Sequence, residues 1–341
     1  MMRRNLLAGA LAAAASLALA ACSGGGDEGQ APPSNTVNFS ILSTENAQNL
    51  EVLWEPFLAD MRKATGLEVK PFYGSNYTAL IEAMRFGQVQ VGWFSNQSGL
   101  EAVRRADAEV FARSSDVGGV DGYNSILIVA RDSPLTIDDV LKCDKALSFG
   151  IGDAKSTSGT LAPMTYLFAP RNIDPQDCFR VVRSASHQTN LLAVGNGSID
   201  VATNNTTNVR RLARSNPGQG EKVRVIWTSP RLPEDPIVWR KDLDPEIKTK
   251  VRDFFMTYGT GTGPEAERQK AILASLDFGV FRPSDNSHLL PVREMEATEQ
   301  LLQAKNTGDQ AKVAAAQATL DAVKRERAAL SPAPAASAAS Q

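Results

Sequence analysis

The chain has 341 residues, and its 36 lysines and arginines nearly balance 38 aspartates and glutamates. This balance excludes the strongly basic surface that is typical of nucleic-acid binding. With 43% hydrophobic residues the chain can bury a sizeable core, and its length indicates two lobes of ordinary domain size.

The first 22 residues have the layout of an export signal. Arg3 and Arg4 precede a short apolar run, 6–21, which is followed at once by Cys22. A basic start, a short hydrophobic stretch and small residues at the cleavage point are typical of secretory signals, and the run is too short to favour a permanent transmembrane helix. Leu-Ala-Ala-Cys resembles the lipobox of bacterial lipoproteins, so we expect a lipid on Cys22; the alternative is a soluble export signal with an incidental cysteine. Residues 23–35 then form a flexible tether that holds the protein outside the cytoplasm, near a membrane.

Strand-like and helix-like runs alternate from residue 37 onward. This spacing predicts an α/β fold with parallel sheets covered by helices on both faces. In open α/β sheets the ligand binds beyond the carboxyl ends of the strands, and Asn96, Asn204 and residues 156–158 follow such ends. The predicted strands are 37–42, 67–72, 89–94, 125–130, 146–150, 179–182, 199–203 and 223–227, and the predicted helices are 50–64, 77–86, 137–141, 160–168, 190–195 and 245–258.

Two cysteines, Cys143 and Cys178, each lie just before a predicted strand. If those two strands are parallel neighbours, the sulfur atoms can meet, and an oxidising compartment permits a disulfide. The alternative is a pair of buried thiols.

Three consecutive hydroxyl residues, Ser156, Thr157 and Ser158, lie between a predicted strand and a predicted helix. The first turn of a helix has backbone N–H groups without an internal partner and carries a partial positive charge. Because Gly159 adds little bulk, this turn can surround a tetrahedral oxyanion. The alternative is an ordinary helix cap, which requires only one hydroxyl.

The C-terminal part, 291–330, is predicted to be helical with a break at 306–309. Its second half carries a heptad-like apolar stripe, which packs either on its own domain or on the same helix of a second copy. A homodimer through these helices is therefore one prediction, and residues 331–341 are expected to be disordered. The stripe consists of Val313, Ala316, Leu320, Val323 and Leu330.

Five spaced segments of the chain follow one another in a specific order: ILSTENAQNL (41–50), GDAKSTSG (152–159), SHQTN (186–190), DVATNNT (200–206) and DPIVWR (235–240). Through these motifs the chain resembles the phosphonate-binding proteins of bacterial phosphonate ABC importers over nearly its whole mature length. This resemblance implies a type II periplasmic binding fold, in which two α/β lobes close around the ligand and signal occupancy to the permease. The implied hinge strands are near 126–130 and 227–238, the first lobe comprises 36–127 and 236–290, and the second lobe comprises 128–235.

The resemblance also implies roles for individual residues. The hydroxyl run 156–158 and His187 correspond to the groups that hold the phosphonate oxygens, although by itself His187 would be taken for an ordinary core or surface histidine. Tyr77 corresponds to a pocket tyrosine, whose alternative role is packing. Asp235 corresponds to an acid that faces the amino end of the ligand, whereas an acid in such a loop is otherwise a solvated turn residue.

Two positions depart from the family's pattern. A second pocket tyrosine is expected where the chain has Phe94, and a second acid where it has Thr207. A buried hydrogen bond to a charged group is worth roughly 1.5–3 kcal/mol, so losing one weakens aminoalkylphosphonate binding on the order of ten- to a hundredfold. We therefore predict that the phosphonate end is kept while selectivity for the amine is relaxed.

Other functions are weighed against phosphonate binding. A phosphite- or phosphate-type binding protein is the alternative with the same fold, and a sensor or scaffold acting through the C-terminal helices is another. Ser156, His187 and Asp235 supply the residue types of a hydrolase of phosphate or phosphonate esters, but Ser156 lacks a Gly-x-Ser-x-Gly elbow. No metal site is predicted, because His187 and His288 are the only histidines and there is no Cys-x-x-Cys pair. The glycine patterns of nucleotide cofactor sites are also missing, so no cofactor is predicted.

Overall fold

The structure is a computed structural model that describes residues 35–119 and 121–330. Cys22, the predicted signal, nearly all of the predicted tether and the predicted tail lie outside this part of the chain. Within it, no helix is long and apolar enough to cross a membrane.

The described residues form a mixture of strands and helices. The strands are β1 (Thr36–Ile41), β2 (Glu68–Tyr73), β3 (Val91–Trp93), β4 (Ala108–Arg113), β5 (Tyr123–Ala130), β6 (Ser148–Ile151), β7 (Val181–Ser184), β8 (Val201–Asn205), β9 (Val223–Leu232), β10 (Pro236–Arg240) and β11 (Arg282–Pro283). The α-helices are α1 (Ala47–Thr65), α2 (Tyr77–Arg85), α3 (Asn96–Arg105), α4 (Ile137–Val140), α5 (Pro175–Cys178), α6 (His187–Gly195), α7 (Thr206–Ser215), α8 (Pro217–Gly220), α9 (Pro245–Thr257), α10 (Pro264–Ser275), α11 (Leu290–Thr307) and α12 (Gln310–Leu330). Shorter π-helical and 3₁₀ turns occupy Thr157–Leu161, Met164–Phe168, Ala169–Arg171 and Asn286–Leu289.

The strands form two sheets, one in each of two lobes. The first sheet has the order β11-β4-β10-β3-β1-β2 and the second has the order β7-β6-β8-β5-β9. The prediction of parallel sheets is wrong, because both sheets are mixed. β10 runs antiparallel to β3 and β4, and β5 runs antiparallel to β8 and β9. β5 and β10 are the strands at which the chain enters a sheet from the other lobe, and each runs antiparallel to both of its neighbouring strands.

The chain passes between the lobes twice. It crosses through residues 114–122, between β4 and β5, and returns through residues 233–235, between β9 and β10. Residues 126–130, predicted as one hinge, lie within the second sheet as part of β5. The second predicted hinge, 227–238, contains the return segment. In the described part of the chain, both crossings lie outside the named helices and strands.

Each lobe has its own apolar core. In the first lobe, α1 buries Trp54 and Phe57 on one face, and Phe57 packs edge-on against Phe255 of α9 with ring centroids 5.6 Å apart. In the second lobe, Phe149 of β6 stacks on Phe179 at 4.4 Å. Such aromatic pairs contribute beyond the area they bury. These cores make each lobe a rigid support for the residues at its edge.

The C-terminal helices pack on each other within one chain. Leu320 of α12 lies in a cluster with Ala297 and Leu301 of α11, and Val313 and Ala316 pack against that cluster. The stripe predicted on α12 therefore has a partner in its own chain, except at its exposed end. The homodimer stays a prediction, and it is not required to cover this stripe.

Cys143 and Cys178 form a disulfide, which confirms the pairing that the strand positions allowed. β6 and β7 are parallel neighbours, with Ser148 opposite Val181. The two cysteines lie just before these strands, so the bond ties their starting ends together.

We expect the disulfide to stabilise the protein substantially. The cysteines are 35 residues apart in sequence, and a cross-link that closes a loop of this size stabilises by about 3–4 kcal/mol. Replacing both cysteines with alanine should lower the free energy of unfolding by this amount in urea titrations. A reducing agent should destabilise the wild type and leave the variant unaffected. An unchanged unfolding midpoint in the variant would contradict this expectation.

Candidate ligand-binding site

A cavity lies between the two lobes and receives side chains from both. Its volume is about 30 Å³, which is room for two or three water molecules at most. The lobes must therefore separate before a ligand can enter. The predicted site residues that line the cavity are Tyr77, Ser156, Ser158, His187, Thr207 and Asp235.

One end of the cavity is a group of hydrogen-bond donors. The side chains of Ser156 and Ser158 lie 3.5 and 3.4 Å from Nε2 of His187. Ser156 caps the helical turns that begin at Thr157, and its Oγ accepts from the backbone N–H of Gly159 at 2.9 Å. All of these groups are buried. Three donors at a helix N-terminus can surround an oxyanion.

Gly159 is required by the close packing of this turn. A Cβ atom at position 159 would lie 2.8 Å from the Cα of Gly152, and the two residues are joined by a 2.9 Å backbone hydrogen bond. The turn that holds both serines is therefore fixed against the end of β6.

Thr157, the middle residue of the hydroxyl run, does not line the cavity. Its Oγ1 accepts a hydrogen bond from the backbone N–H of Gln97, at the start of α3 in the first lobe, at 2.8 Å. Nearby, the hydroxyl of Ser95 donates to the carbonyl of Lys155 at 3.0 Å. The structure thus separates the three hydroxyls: two face the cavity, and the third joins the lobes.

His187 is the first residue of α6 and is buried. Burial, assisted by the positive charge of Arg211, lowers the pKa of His187 to about 4. The imidazole is therefore neutral near pH 7 and can donate one hydrogen bond. Its Nδ1 is buried and has no hydrogen-bond partner among the described residues.

The other end of the cavity is acidic. The carboxyl of Asp235 accepts from the Tyr123 hydroxyl at 3.0 Å and from Nδ2 of Asn96 at 3.4 Å. Burial, followed by the charge of Glu234, raises the pKa of Asp235 to about 8. A buried carboxyl group with a raised pKa favours a cation beside it, since a positive charge stabilises the ionised carboxylate.

The second cavity tyrosine is Tyr123, so the expectation attached to Phe94 is corrected. Phe94 is fully buried in the core of the first lobe and does not line the cavity. Its neighbour Trp93 lines the cavity instead, because successive side chains of an extended segment point to opposite sides. Burial raises the pKa of both Tyr77 and Tyr123, so each keeps its hydroxyl proton and can donate.

Sequence reasoning missed several residues that line the cavity: Trp93, Tyr123, Asn208, Arg211 and Glu234. Oδ1 of Asn208 is buried without a hydrogen-bond partner in the described part of the chain. A buried polar atom without a partner is costly, which is the signal of a site that a ligand completes. Thr207 lies in the first turn of α7, one turn before Arg211.

Helix α7 of the second lobe holds the first lobe through arginines. Arg211 pairs with Glu45 at 2.5 Å, and both side chains are less than 10% exposed. Arg210 and Arg214 reach the buried carboxylate of Asp277 at 2.8 and 2.6 Å. The helix that contributes Thr207 to the cavity thus also carries the ion pairs that close it.

Comparison with known proteins identifies the fold and the family. The family model for the periplasmic substrate-binding proteins of phosphonate ABC transporters matches residues 39–289. The phosphonates-binding periplasmic protein of Escherichia coli (strain K12) is 44% identical over 302 residues, which cover 86% of this chain and 88% of the relative.

Two solved structures share the architecture. A binding protein component of an ABC phosphonate transporter from Pseudomonas aeruginosa has a TM-score of 0.83 and 41% identity, covering 86% of this chain and 98% of its own. A protein from Prochlorococcus marinus, solved in complex with methylphosphonate, has a TM-score of 0.67 and 19% identity, covering 77% of this chain and 97% of its own. Because its sequence identity is only 19%, the similarity to the Prochlorococcus marinus protein shows the shared fold alone.

The two-lobed α/β fold is that of the periplasmic binding proteins, as predicted. The chain belongs to the family of periplasmic substrate-binding proteins of phosphonate ABC transporters. It is therefore the substrate-binding component of an importer and works outside the cytoplasm.

We expect Thr157 to control closure and not the choice of ligand. Replacing Thr157 with valine leaves the N–H of Gln97 without an acceptor in the closed state, which costs about 1–3 kcal/mol. The affinities for methylphosphonate and 2-aminoethylphosphonate should fall by the same factor, roughly five- to a hundredfold, in titration calorimetry. Thr157→Ser keeps the hydroxyl and should bind like the wild type. A loss confined to one ligand would place this hydroxyl on the ligand.

We also expect Asp235 to make stability depend on pH. Its pKa is about 8 in the folded protein and about 3.9 when unfolded, so its stabilising contribution is complete below pH 4 and is lost as the pH rises through 8. The lowered pKa of His187 acts in the opposite direction below pH 6.5, so the comparison belongs between pH 6.5 and 8. There the ligand-free wild type should lose up to about 1.4 kcal/mol per pH unit relative to Asp235→Asn in urea unfolding. Parallel stability profiles would contradict the assignment.

Proposed function

We propose that the protein is a lipid-anchored binding protein that captures an organophosphonate, or a related phosphorus oxyanion, and delivers it to the permease of an ABC importer. The observation that carries this proposal is the convergence of Ser156, Ser158 and His187 at a helix N-terminus inside a closed cavity. Neutral donors and a helix N-terminus suit a tetrahedral oxyanion without requiring a direct ion pair.

In the proposed complex the phosphonate oxygens accept from the two serine hydroxyls, from Nε2–H of His187 and from the free N–H groups of the first helical turn. Tyr77 presents its protonated hydroxyl to the middle of the ligand, while the hydroxyl of Tyr123, which donates to Asp235, lies beside the substituent. Asp235 faces the substituent, and Thr207 contributes a hydroxyl where the family's pattern has an acid.

Attachment to the membrane is part of this proposal. Cys22 supports it, because it follows a short apolar run in a lipobox-like sequence. A lipid on Cys22, followed by the tether 23–35, would keep the binding lobes close to the permease.

The hydrolase alternative is disfavoured by the geometry of its three residue types. Asp235 accepts from Tyr123, not from His187, and Nδ1 of His187 has no partner within the described residues. A triad requires the acid to orient this nitrogen. Two hydroxyls at similar distances from Nε2 also resemble a set of equal donors more than one nucleophile and its base.

A binding panel tests the proposed function. Thermal shift and calorimetry with phosphate, phosphite, methylphosphonate and 2-aminoethylphosphonate should show at least one ligand that raises the melting temperature. Ser156→Ala combined with Ser158→Ala removes two buried donors to an anion and should weaken that ligand by at least about a hundredfold.

Ser275→Ala is the matched control, because its hydroxyl bonds the backbone of its own exposed helix and lies outside the cavity. The proposal fails if the wild type binds none of the four compounds. Hydrolysis of a phosphonate or phosphate ester that is lost in Ser156→Ala would favour the enzyme.

A further inference from the structure

Glu234 is a second buried carboxylate at the acidic end of the cavity. It lines the cavity directly beside Asp235, on the return segment between the lobes, and only 8% of the residue is exposed. Its Oε1 accepts from the backbone N–H of Gly122 at 2.9 Å, and its Oε2 accepts from the hydroxyl of Ser114 at 3.2 Å. These two neutral donors fix the position of the carboxyl in the wall.

The other acids near Glu234 already have cationic partners. Asp116 pairs with Arg210 at 2.6 Å, and Asp121 pairs with Arg113 at 2.7 Å. By contrast, neither Glu234 nor Asp235 has a lysine or arginine beside its carboxyl among the described residues, and their recorded partners are all neutral.

His288 does not supply the missing cation. Its Nε2 contacts the backbone carbonyl of Glu234 at 2.6 Å and not the carboxyl. Burial lowers the pKa of His288, so the ring is neutral near pH 7. Two adjacent buried carboxyl groups thus face the cavity, and among the described residues neither contacts a positively charged side chain, since Arg211, which also lines the cavity, is paired with Glu45.

Buried charges are normally paired, and two neighbouring carboxylates strongly disfavour joint ionisation. A cation on the ligand would relieve both effects at once. The donors at the other end of the cavity fit an anion. Tyr77 also lines the cavity, and both Ser156 and the charge of Asp235 influence the pKa of its hydroxyl, so Tyr77 lies between the two ends. The cavity is therefore complementary to a short molecule with an anionic and a cationic end.

We propose that Glu234 is the second cation-binding carboxylate of this site and that it takes the place of the acid missing at Thr207. The inference rests on the proposed function. It replaces the prediction, drawn from the acid missing at Thr207, that selectivity for the amine is relaxed. Glu234 acts as a specificity-determining residue: it contributes to binding only when the ligand carries an ammonium group.

A pair of ligands of equal size tests the role of Glu234. 2-Aminoethylphosphonate and propylphosphonate differ only in an ammonium group where the other has a methyl group. In calorimetry at pH 7, Glu234→Gln should weaken the amino compound about ten- to a hundredfold and should change the affinity for propylphosphonate less than about twofold. Glutamine can still accept from Gly122 and can donate to Ser114, so the wall is preserved.

The control is Glu221→Gln, which alters an exposed glutamate and should change neither affinity. If Glu234→Gln loses affinity for both ligands equally, the residue acts in the connection between the lobes. If it loses affinity for neither ligand, the residue is not part of the site. Either result would overturn the inference. If the variant does not fold, the wild type still decides, because equal affinities for the two compounds would overturn it as well. Failure of the proposed function itself is distinct, since the wild type would then bind neither compound.

Discussion

The structure depends on a set of polar groups that the closed lobes bury without giving them partners. Nδ1 of His187 and Oδ1 of Asn208 are out of contact with solvent and unbonded within the described residues, while two carboxyl groups face the same cavity and contact no cationic side chain in that part of the chain. Each of these groups makes the empty closed state costly. A ligand that supplies complementary atoms removes that cost, so binding and closure favour each other. Closure around a complementary ligand is the conformational signal that a transport partner can read.

The same elements that form the cavity also join the lobes. The turn at 156–158 directs two hydroxyls to the cavity and the third to the backbone of α3 in the other lobe. Helix α7 places Thr207 of its first turn in the cavity and continues with three arginines that hold acids of the first lobe. A displacement of either element by the ligand therefore acts directly on the contacts that hold the lobes together.

Much of the fold follows from local patterns, but the parts that depend on tertiary contacts do not. The apolar spacing of α1 and the run at β5 are strong signals, and the positions of Cys143 and Cys178 before two strands led to the correct disulfide. Helix α3 was missed because its sequence, NQSGLEAVRR, carries few apolar residues, contains a glycine and buries polar side chains at its start. The direction of β5 and β10 depends on the crossings between lobes, which local periodicity does not encode.

In the candidate site, too, some residues could be predicted from local motifs, whereas others depend on tertiary contacts. The hydroxyl run and His187 were recognisable from motifs, yet only the direction of each side chain separates Ser156 and Ser158 from Thr157. The second tyrosine was sought at Phe94, just after β3, whereas Tyr123 reaches the cavity from the start of β5 in the other lobe. Glu234 gave no signal, since an acid in a Pro-Glu-Asp-Pro loop is ordinarily solvated, and its burial arises only when two distant segments meet.

The most direct test of the account is a crystal structure of the protein grown with 2-aminoethylphosphonate. We expect the phosphorus between the hydroxyls of Ser156 and Ser158 and Nε2 of His187, with the ammonium group toward Asp235 and the lobes closed. Density for the compound outside the cavity, or a phosphonate group placed against Asp235 while both serines contact only solvent, would contradict the account.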